Sequence, residues 1–254
     1  MAAFRVVQIT DLHIGARGER PRDVDVRSNL ELVLQAIAGE SADHLVISGD
    51  LSYRDGDRDA YQHVRSLVEN LDLPYSVIGG NHDISVNLAE EFGRTTDLSG
   101  DELYYAVKLP EGDGQMVFLD TVRGTVSDRQ LAWLRRTLEG AQSPIVLFMH
   151  HPPMLCNCTF MDTNYPFERS ADILPVLSGA RALAAVFCGH YHAEAEEPLP
   201  DRAEVRVHVT PSLWFQIDRS AEDMIISDRR VGYRVIDVEG GAVRSRVEYL
   251  PPSK

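Results

Sequence analysis

The sequence has no apolar run approaching the roughly 18 residues that a helix needs to span a bilayer, which predicts no membrane partner. It has no linker rich in Pro, Gly or Ser, no low-complexity tract and no internal repeat, so its 254 residues are expected to form one domain, 1–254, with a sizeable core. The opening MAAFRVVQITDLH lacks a basic region followed by a long apolar stretch and a cleavage site, so no secretory leader is expected. Cysteine is scarce. Cys156, Cys158 and Cys188 cannot all pair within one chain, which argues against a disulfide framework and makes a reducing cytoplasm the expected location. Positive charge is short as well: 25 Lys and Arg against 39 Asp and Glu give a formal charge of −14, which disfavours strong nucleic-acid binding.

What the chain does have is one event repeated. A short β-branched run stops abruptly at a cluster of Asp, His, Asn or Gly. Phe4–Ile9 runs into Thr10-Asp11-Leu12-His13, His44–Ile47 into Ser48-Gly49-Asp50, and Tyr75–Ile78 into Gly79-Gly80-Asn81-His82-Asp83. Ile145–Met149 then runs into His150-His151-Pro152-Pro153, and Ala184–Cys188 into Gly189-His190-Tyr191-His192. Continuous apolar runs of this length fit strands covered on both faces. Between them, Val24–Ala38 and Asp59–Leu71 carry apolar stripes at helical spacing, and Ser127 with Gln130 reads as a capping box opening a third helix. Alternating strands and helices imply a layered α/β fold. The last third changes character: Val205–Thr210, Gly232–Val238 and Ala242–Tyr249 have no helical pattern between them. Residues from about 200 to 254 are therefore expected to supply mainly strands of a second, largely antiparallel sheet. The expected architecture is a four-layer α/β/β/α sandwich, two mixed sheets flanked by helices.

Ligands of open α/β sheets bind at the carboxyl ends of the strands, where all five clusters fall. One sheet edge should therefore gather Asp11, His13, Asp50, Asn81, His150, His190 and His192. Imidazole nitrogens with carboxylate and amide oxygens suit Zn, Fe, Mn, Co or Ni rather than Ca or Mg. Such a set exceeds what one ion needs and suffices for two if a carboxylate bridges them. Two metals about 3.5–4 Å apart can hold a hydroxide between them and grip the oxygens of a phosphoryl group undergoing displacement. Taken singly, Asp11 or Asp50 is best explained as a cap or turn residue; five coincident clusters are not.

The series Asp11-x-His13, Gly49-Asp50, Gly80-Asn81-His82-Asp83, His150 and Gly189-His190-x-His192 resembles the calcineurin-like metallophosphoesterase superfamily, with every block present and in order. The resemblance implies one metal held by Asp11, His13, Asp50 and His192, and a second by Asp50, Asn81, His150 and His190, with Asp50 as the bridge. The ions would be divalent or trivalent Fe, Mn or Zn, alike or mixed. His82, with Asn81 beside it, matches the family's non-liganding histidine, which contacts the phosphate and protonates the leaving oxygen. Phe148-Met149-His150-His151-Pro152-Pro153 and Phe187-Cys188-Gly189-His190-Tyr191-His192 are similar to the bacterial branch of class III cyclic nucleotide phosphodiesterases and glycerophosphodiesterases. That branch implies hydrolysis of small phosphodiesters, 3′,5′-cyclic nucleotides or glycerophosphodiesters, by a metal-bridging hydroxide, in a homo-oligomer. Two divalent ions against Asp11, Asp50 and a hydroxide leave the centre net positive, so it attracts phosphate despite the acidic surface. The rival readings are a phosphomonoesterase or nucleotidase with the same centre and, from another class, a non-catalytic scaffold on the same fold. The scaffold reading predicts gaps in the ligand set, and none is present.

Other residues are more open. Met154–Arg169 follows two ligand candidates and offers Asn157, Phe160 and Tyr165 as pocket lining, against the plainer reading of a locally packed loop. Trp214 and Phe215 either stack on a substrate or pack in the core, the commoner fate. His151 is expected to support its neighbours, Asp83 to orient a histidine or cap a helix, and Cys156 and Cys158 to be loop cysteines. Arg17, Arg20, Arg22 and Arg54 are expected on the solvated surface, and His208 on the solvated face of a strand.

Overall fold

Two parallel runs of strands lie at the centre of the molecule, and each is extended by antiparallel strands at its margin. The computed structural model describes residues 3–110 and 114–253. In chain order the first strands are β1 (Phe4–Ile9), β2 (His44–Ser48), β3 (Tyr75–Ile78), β4 (Leu98–Ser99), β5 (Glu102–Leu103), β6 (Tyr105–Lys108), β7 (Gln115–Phe118) and β8 (Ile145–Phe148). There follow β9 (Leu183–Cys188), β10 (Ala195–Leu199), β11 (Arg202–Val209), β12 (Gln216–Ile217), β13 (Ile226–Asp228), β14 (Val231–Glu239) and β15 (Ala242–Leu250). The helices are α1 (Val26–Ile37), α2 (Arg58–Val68), α3 (Ser85–Glu91), α4 (Asp128–Gly140), α5 (Thr159–Asn164) and α6 (Ser170–Gly179).

One sheet has the order β15-β14-β1-β2-β3 and the other β10-β11-β9-β8-β7-β6. Strands β1, β2 and β3 are parallel, as are β7, β8, β9 and β11. Helices α1 and α2 join the parallel strands of the first sheet, and α4, α5 and α6 those of the second. This is the four-layer α/β/β/α sandwich expected from the sequence. The expected division of strands between sheets needs correcting. Residues 200–254 do not build the second sheet: β14 and β15 join the first sheet antiparallel beside β1, and β11 lies parallel to β9 in the other. The reason is that β14 is buried along six consecutive residues, as an internal strand must be, and an apolar run does not say which neighbour it will take. The polar clusters consequently come from two sheet edges that meet, not from one.

Helix α4 begins as predicted, with Ser127 accepting from the Gln130 N–H at 3.1 Å. The reciprocal half of the box is missing, because the Gln130 amide turns inward and pairs with both backbone groups of Asp120 at 2.7 and 2.9 Å. It thereby ties α4 to the end of β7.

Between the sheets runs a ladder of rings from five strands: Tyr105, Phe118, Phe148, Phe187 and His208, each directly opposite the next in register. Successive centroids are 4.8, 5.3, 5.5 and 4.7 Å apart, and the planes lie within 25° of parallel. The Tyr105 hydroxyl crosses to β3 and donates to the Val77 carbonyl at 2.8 Å, which fixes one sheet against the other. His208 is thus buried, not on a solvated face; its neighbours in the chain alternate, but its ring completes the stack on Phe187. Burial, with Arg234 and Arg206 nearby, lowers its pKa from 6.5 to about 3. The unfolded chain therefore binds a proton at this histidine between those two values that the folded chain does not. Its contribution to stability is fully present above pH 6.5 and is lost as the pH falls. His208→Phe keeps the stack and removes the titration. Between pH 7.5 and 5 the variant should lose about 2 kcal/mol less stability than the parent in urea denaturation; an equal loss would refute the assignment.

Candidate metal centre

The strand pairing continues past the ends of β1 and β2 into the polar clusters. Asp11 N donates to Gly49 O at 3.0 Å and His13 N to Asp50 O at 2.9 Å, so the first two clusters are held side by side. On the other sheet Gly189 N donates to His150 O at 2.9 Å. The two edges then approach so closely that side chains are excluded at two glycines. A Cβ at Gly80 would overlap Asp50 and lie 2.6 Å from His150 Nε2, and one at Gly189 would overlap Thr10 and lie 2.7 Å from Asp11 Oδ2. Five of the candidate ligands sit in the left-handed backbone region: Asp11 (φ 53°), His13 (46°), Asp50 (51°), His190 (68°) and His192 (48°). Such angles are uncommon outside glycine and collect at functional sites.

Two groups of donor atoms result, each with its members within 4.8 Å of one another: Asp11, His13, Asp50 and His192, and Asp50, His150 and His190. Asp50 belongs to both. His13 Nε2 lies 3.0 Å from His192 Nε2 and 3.6 Å from Asp50 Oδ2, while His192 Nε2 is 3.3 Å from Asp11 Oδ1. In the second group His150 Nε2 lies 3.5 Å from Asp50 Oδ2. Ligands bound at about 2.1 Å and adjacent on one ion lie roughly 3–3.5 Å apart, so the donor spacing fits.

The hydrogen bonds on the far side of each ring select the tautomer. His150 Nδ1 donates to Ser48 O at 2.9 Å, His192 Nδ1 to Phe215 O at 3.2 Å and His190 Nε2 to Tyr165 O at 3.2 Å. These bonds turn His150 Nε2, His192 Nε2 and His190 Nδ1 inward, and buried His150 Nε2 has no hydrogen-bond partner among the described residues. Partners of this kind orient metal-binding histidines generally. The electrostatics agree. Burial pushes His13 down to about 3 and His190 to about 4, so both are neutral donors near pH 7. Burial works against ionising Asp11 and Asp50, yet His192 and His150 hold Asp11 below the usual carboxylate range, and His150 and His13 hold Asp50 well below it. His150 differs: burial opposes its charge, but Asp50 and Asp11 raise its pKa to about 9, so near pH 7 its Nε2 holds a proton that a bound metal ion would displace. Ionised carboxylates beside inward-facing imidazole lone pairs are a donor set for borderline cations such as Zn, Mn or Fe.

Asn81 is exposed in the turn between Gly80 and His82. The backbone N–H of His82 donates to Asp50 Oδ1 at 2.8 Å; its half-exposed ring stands 5.0 Å from that of His13, with Nδ1 3.4 Å from Asp55. His151 is buried, bonds Thr121 Oγ1 at 3.0 Å and lies 4.1 Å from the His190 ring, the supporting role expected of it. Asp83 neither orients a histidine nor caps α3, whose N-cap is Ile84. It accepts from Leu51 N, Ser52 N, Gly80 N and Tyr61 OH at 2.9–3.2 Å, clamping the Asp50 and Asn81 loops together. Burial and the charge of Asp50 nevertheless push its pKa up to about 6. Phe215 and Trp214 are buried with their rings 4.9 Å from His192 and 4.6 Å from His13, so they wall the site. Asn157 is exposed with φ 56° on the loop that carries Tyr165. Sequence reasoning passed over Thr121 and the carbonyls of Ser48, Tyr165 and Phe215. A signal existed for Thr121, since β7 also ends in a polar pair, Asp120-Thr121; carbonyls leave none.

A model of the calcineurin-like phosphoesterase family matches residues 4–194. The chain is 34% identical over 235 residues to a probable cyclic nucleotide phosphodiesterase of Fibrobacter succinogenes, covering 92% of this chain and 89% of that one. It is 30% identical over 199 residues to a probable glycerophosphodiester phosphodiesterase GpdQ of Arcobacter nitrofigilis, covering 74% and 71%. The fold is shared with a dimetal phosphatase from Danio rerio, with a TM-score of 0.72 over 100% of both chains at 14% identity.

Proposed function

Because the chain belongs to the calcineurin-like phosphoesterase family, we propose that it is a two-metal phosphodiesterase acting on small phosphodiesters, with 3′,5′-cyclic nucleotides and glycerophosphodiesters as the candidate substrates. The observation that carries this reading is the pair of donor groups sharing Asp50. One ion would be held by Asp11, His13, Asp50 and His192, the other by Asp50, Asn81, His150 and His190. Iron, manganese and zinc all suit these donors. When bound, two such ions polarise the phosphoryl oxygens and lower the pKa of water.

The chain's own residues set the conditions for that chemistry. Asp11 and Asp50 contribute two negative charges, which leave a pair of divalent ions with a net positive field for an anionic substrate. Ser48, Phe215 and Tyr165 keep three imidazoles in the tautomers that donate inward. Buried walls of Trp214, Phe215 and His151 exclude water from behind the site. His82, tied to Asp50 through its backbone and partly open to solvent, would hand a proton to the departing alkoxide. The three cysteines are free and buried, in keeping with a reducing cytoplasm, and among the described residues no helix is long and apolar enough to cross a membrane. The family resemblance extends the proposal to a homo-oligomer.

The test is hydrolysis of bis(p-nitrophenyl) phosphate against p-nitrophenyl phosphate, after chelation and after adding back manganese. Chelation should abolish activity, manganese should restore it, and the diester should be the better substrate. Preference for the monoester would move the assignment to a phosphatase with the same centre. Cleavage of neither by metal-loaded protein would overturn the enzymatic reading.

A further inference from the structure

Large hydrophobic side chains that stay exposed are few here. Among the described residues they are Ile84, Leu155, Tyr165 and Ile225, and Tyr165, at 53% exposure, is the one aromatic. It is also the one that touches the site. Its carbonyl accepts from His190 Nε2 at 3.2 Å, and its ring stands perpendicular to that imidazole with the centroids 6.4 Å apart. The backbone that carries the ring is anchored. Tyr165 N donates to Met161 O at 2.9 Å, and Phe160 packs edge-on at 5.8 Å. The loop beneath is anchored by Asp162, which accepts from Cys156 N and Cys158 N at 3.0 and 2.8 Å. The other large aromatics against the donor groups, Tyr191, Trp214 and Phe215, are buried and offer no free face.

On the phosphodiesterase reading above, we infer that Tyr165 is a stacking platform for the base of a bound nucleotide and that it makes a cyclic nucleotide the better substrate than a glycerophosphodiester. A phosphate at the donor groups places the base of a 3′,5′-cyclic nucleotide one sugar away, and the rigid bicyclic sugar phosphate points that base in a fixed direction. An exposed phenol ring gains stacking contact with any base. A glycerol ester has no flat face and gains nothing from the ring. The contact is made by the nucleoside and not by the reacting phosphorus, so its effect belongs in KM.

The experiment compares the metal-loaded parent, Tyr165→Ala and Tyr165→Phe on 3′,5′-cyclic AMP and on sn-glycero-3-phosphocholine. The carbonyl that holds His190 is main chain and survives both substitutions, and equal metal content checks this. Tyr165→Ala should raise KM for cyclic AMP about tenfold with little change in kcat, leave KM for glycerophosphocholine unchanged, and be rescued by Phe. An unchanged KM for cyclic AMP, an equal rise for both substrates, or a parent that cleaves only glycerophosphocholine would overturn the inference. A parent that cleaves neither diester overturns the phosphodiesterase reading itself.

Discussion

Asp50→Ala should release both metal ions and lower diester hydrolysis at least about a thousandfold, roughly 4 kcal/mol of transition-state stabilisation. The size of the effect follows from position. Asp50 is 2% exposed and is the one residue common to both donor groups. Its Oδ2 lies 3.6 Å from His13 Nε2 and 3.5 Å from His150 Nε2, and its Oδ1 accepts from the His82 N–H. Truncation removes a ligand from each group, one of the two carboxylates in the donor groups, and the partner of the part-buried His82 N–H. Asp50→Asn separates these losses, because it keeps an oxygen for His82 while discarding the charge. Metal content by plasma mass spectrometry, with near-ultraviolet circular dichroism as a check on folding, decides the matter. Two ions per chain retained in Asp50→Ala would refute the shared ligand.

His82→Ala should behave in the opposite way, keeping its metals and losing turnover. If the ring protonates the leaving oxygen, kcat for a cyclic nucleotide should fall about 10²–10³-fold, because an alkoxide leaves poorly without a proton. Bis(p-nitrophenyl) phosphate, whose p-nitrophenolate leaves unaided, should be far less affected. The contrast between the two substrates is the measurement. A uniform loss would reduce His82 to a phosphate contact, and loss of metal would make it part of the metal-holding set.

The sequence made the donors legible because they occupy the one place where a local pattern and a global position coincide. Asp11, Asp50, His150 and His190 each follow an apolar run, and the carboxyl end of a buried strand is where ligands of this fold class gather. What stayed hidden was whatever depends on a partner distant in sequence. Nothing in Val231–Glu239 says that it lies beside β1 and not beside the preceding strands. The alternating run around His208 predicts an outward ring, and only the ladder built by four other strands draws it inward. Asp83 invites a reading as a helix cap because a helix follows, yet its carboxylate turns back to loops that the sequence places up to 32 residues away. The carbonyls that fix the histidine tautomers are silent in any sequence, since every residue has one.

The five left-handed ligand positions bear on how such a chain changes over generations. A non-glycine residue held there costs roughly 1 kcal/mol or more, somewhat less for Asp, and a glycine would relieve it. Asp11 and Asp50 also bury like charges close together, so replacing either with a small neutral residue eases repulsion. Folding stability therefore preserves these side chains only in part: the neighbouring histidines favour the two ionised carboxylates, while backbone strain and burial oppose the set. Turnover keeps the set whole. A descendant released from the need to hydrolyse anything should shed His13, Asp50 and His192 early while the aromatic ladder and both sheets persist, arriving at an inert but well-folded protein well before it loses the fold.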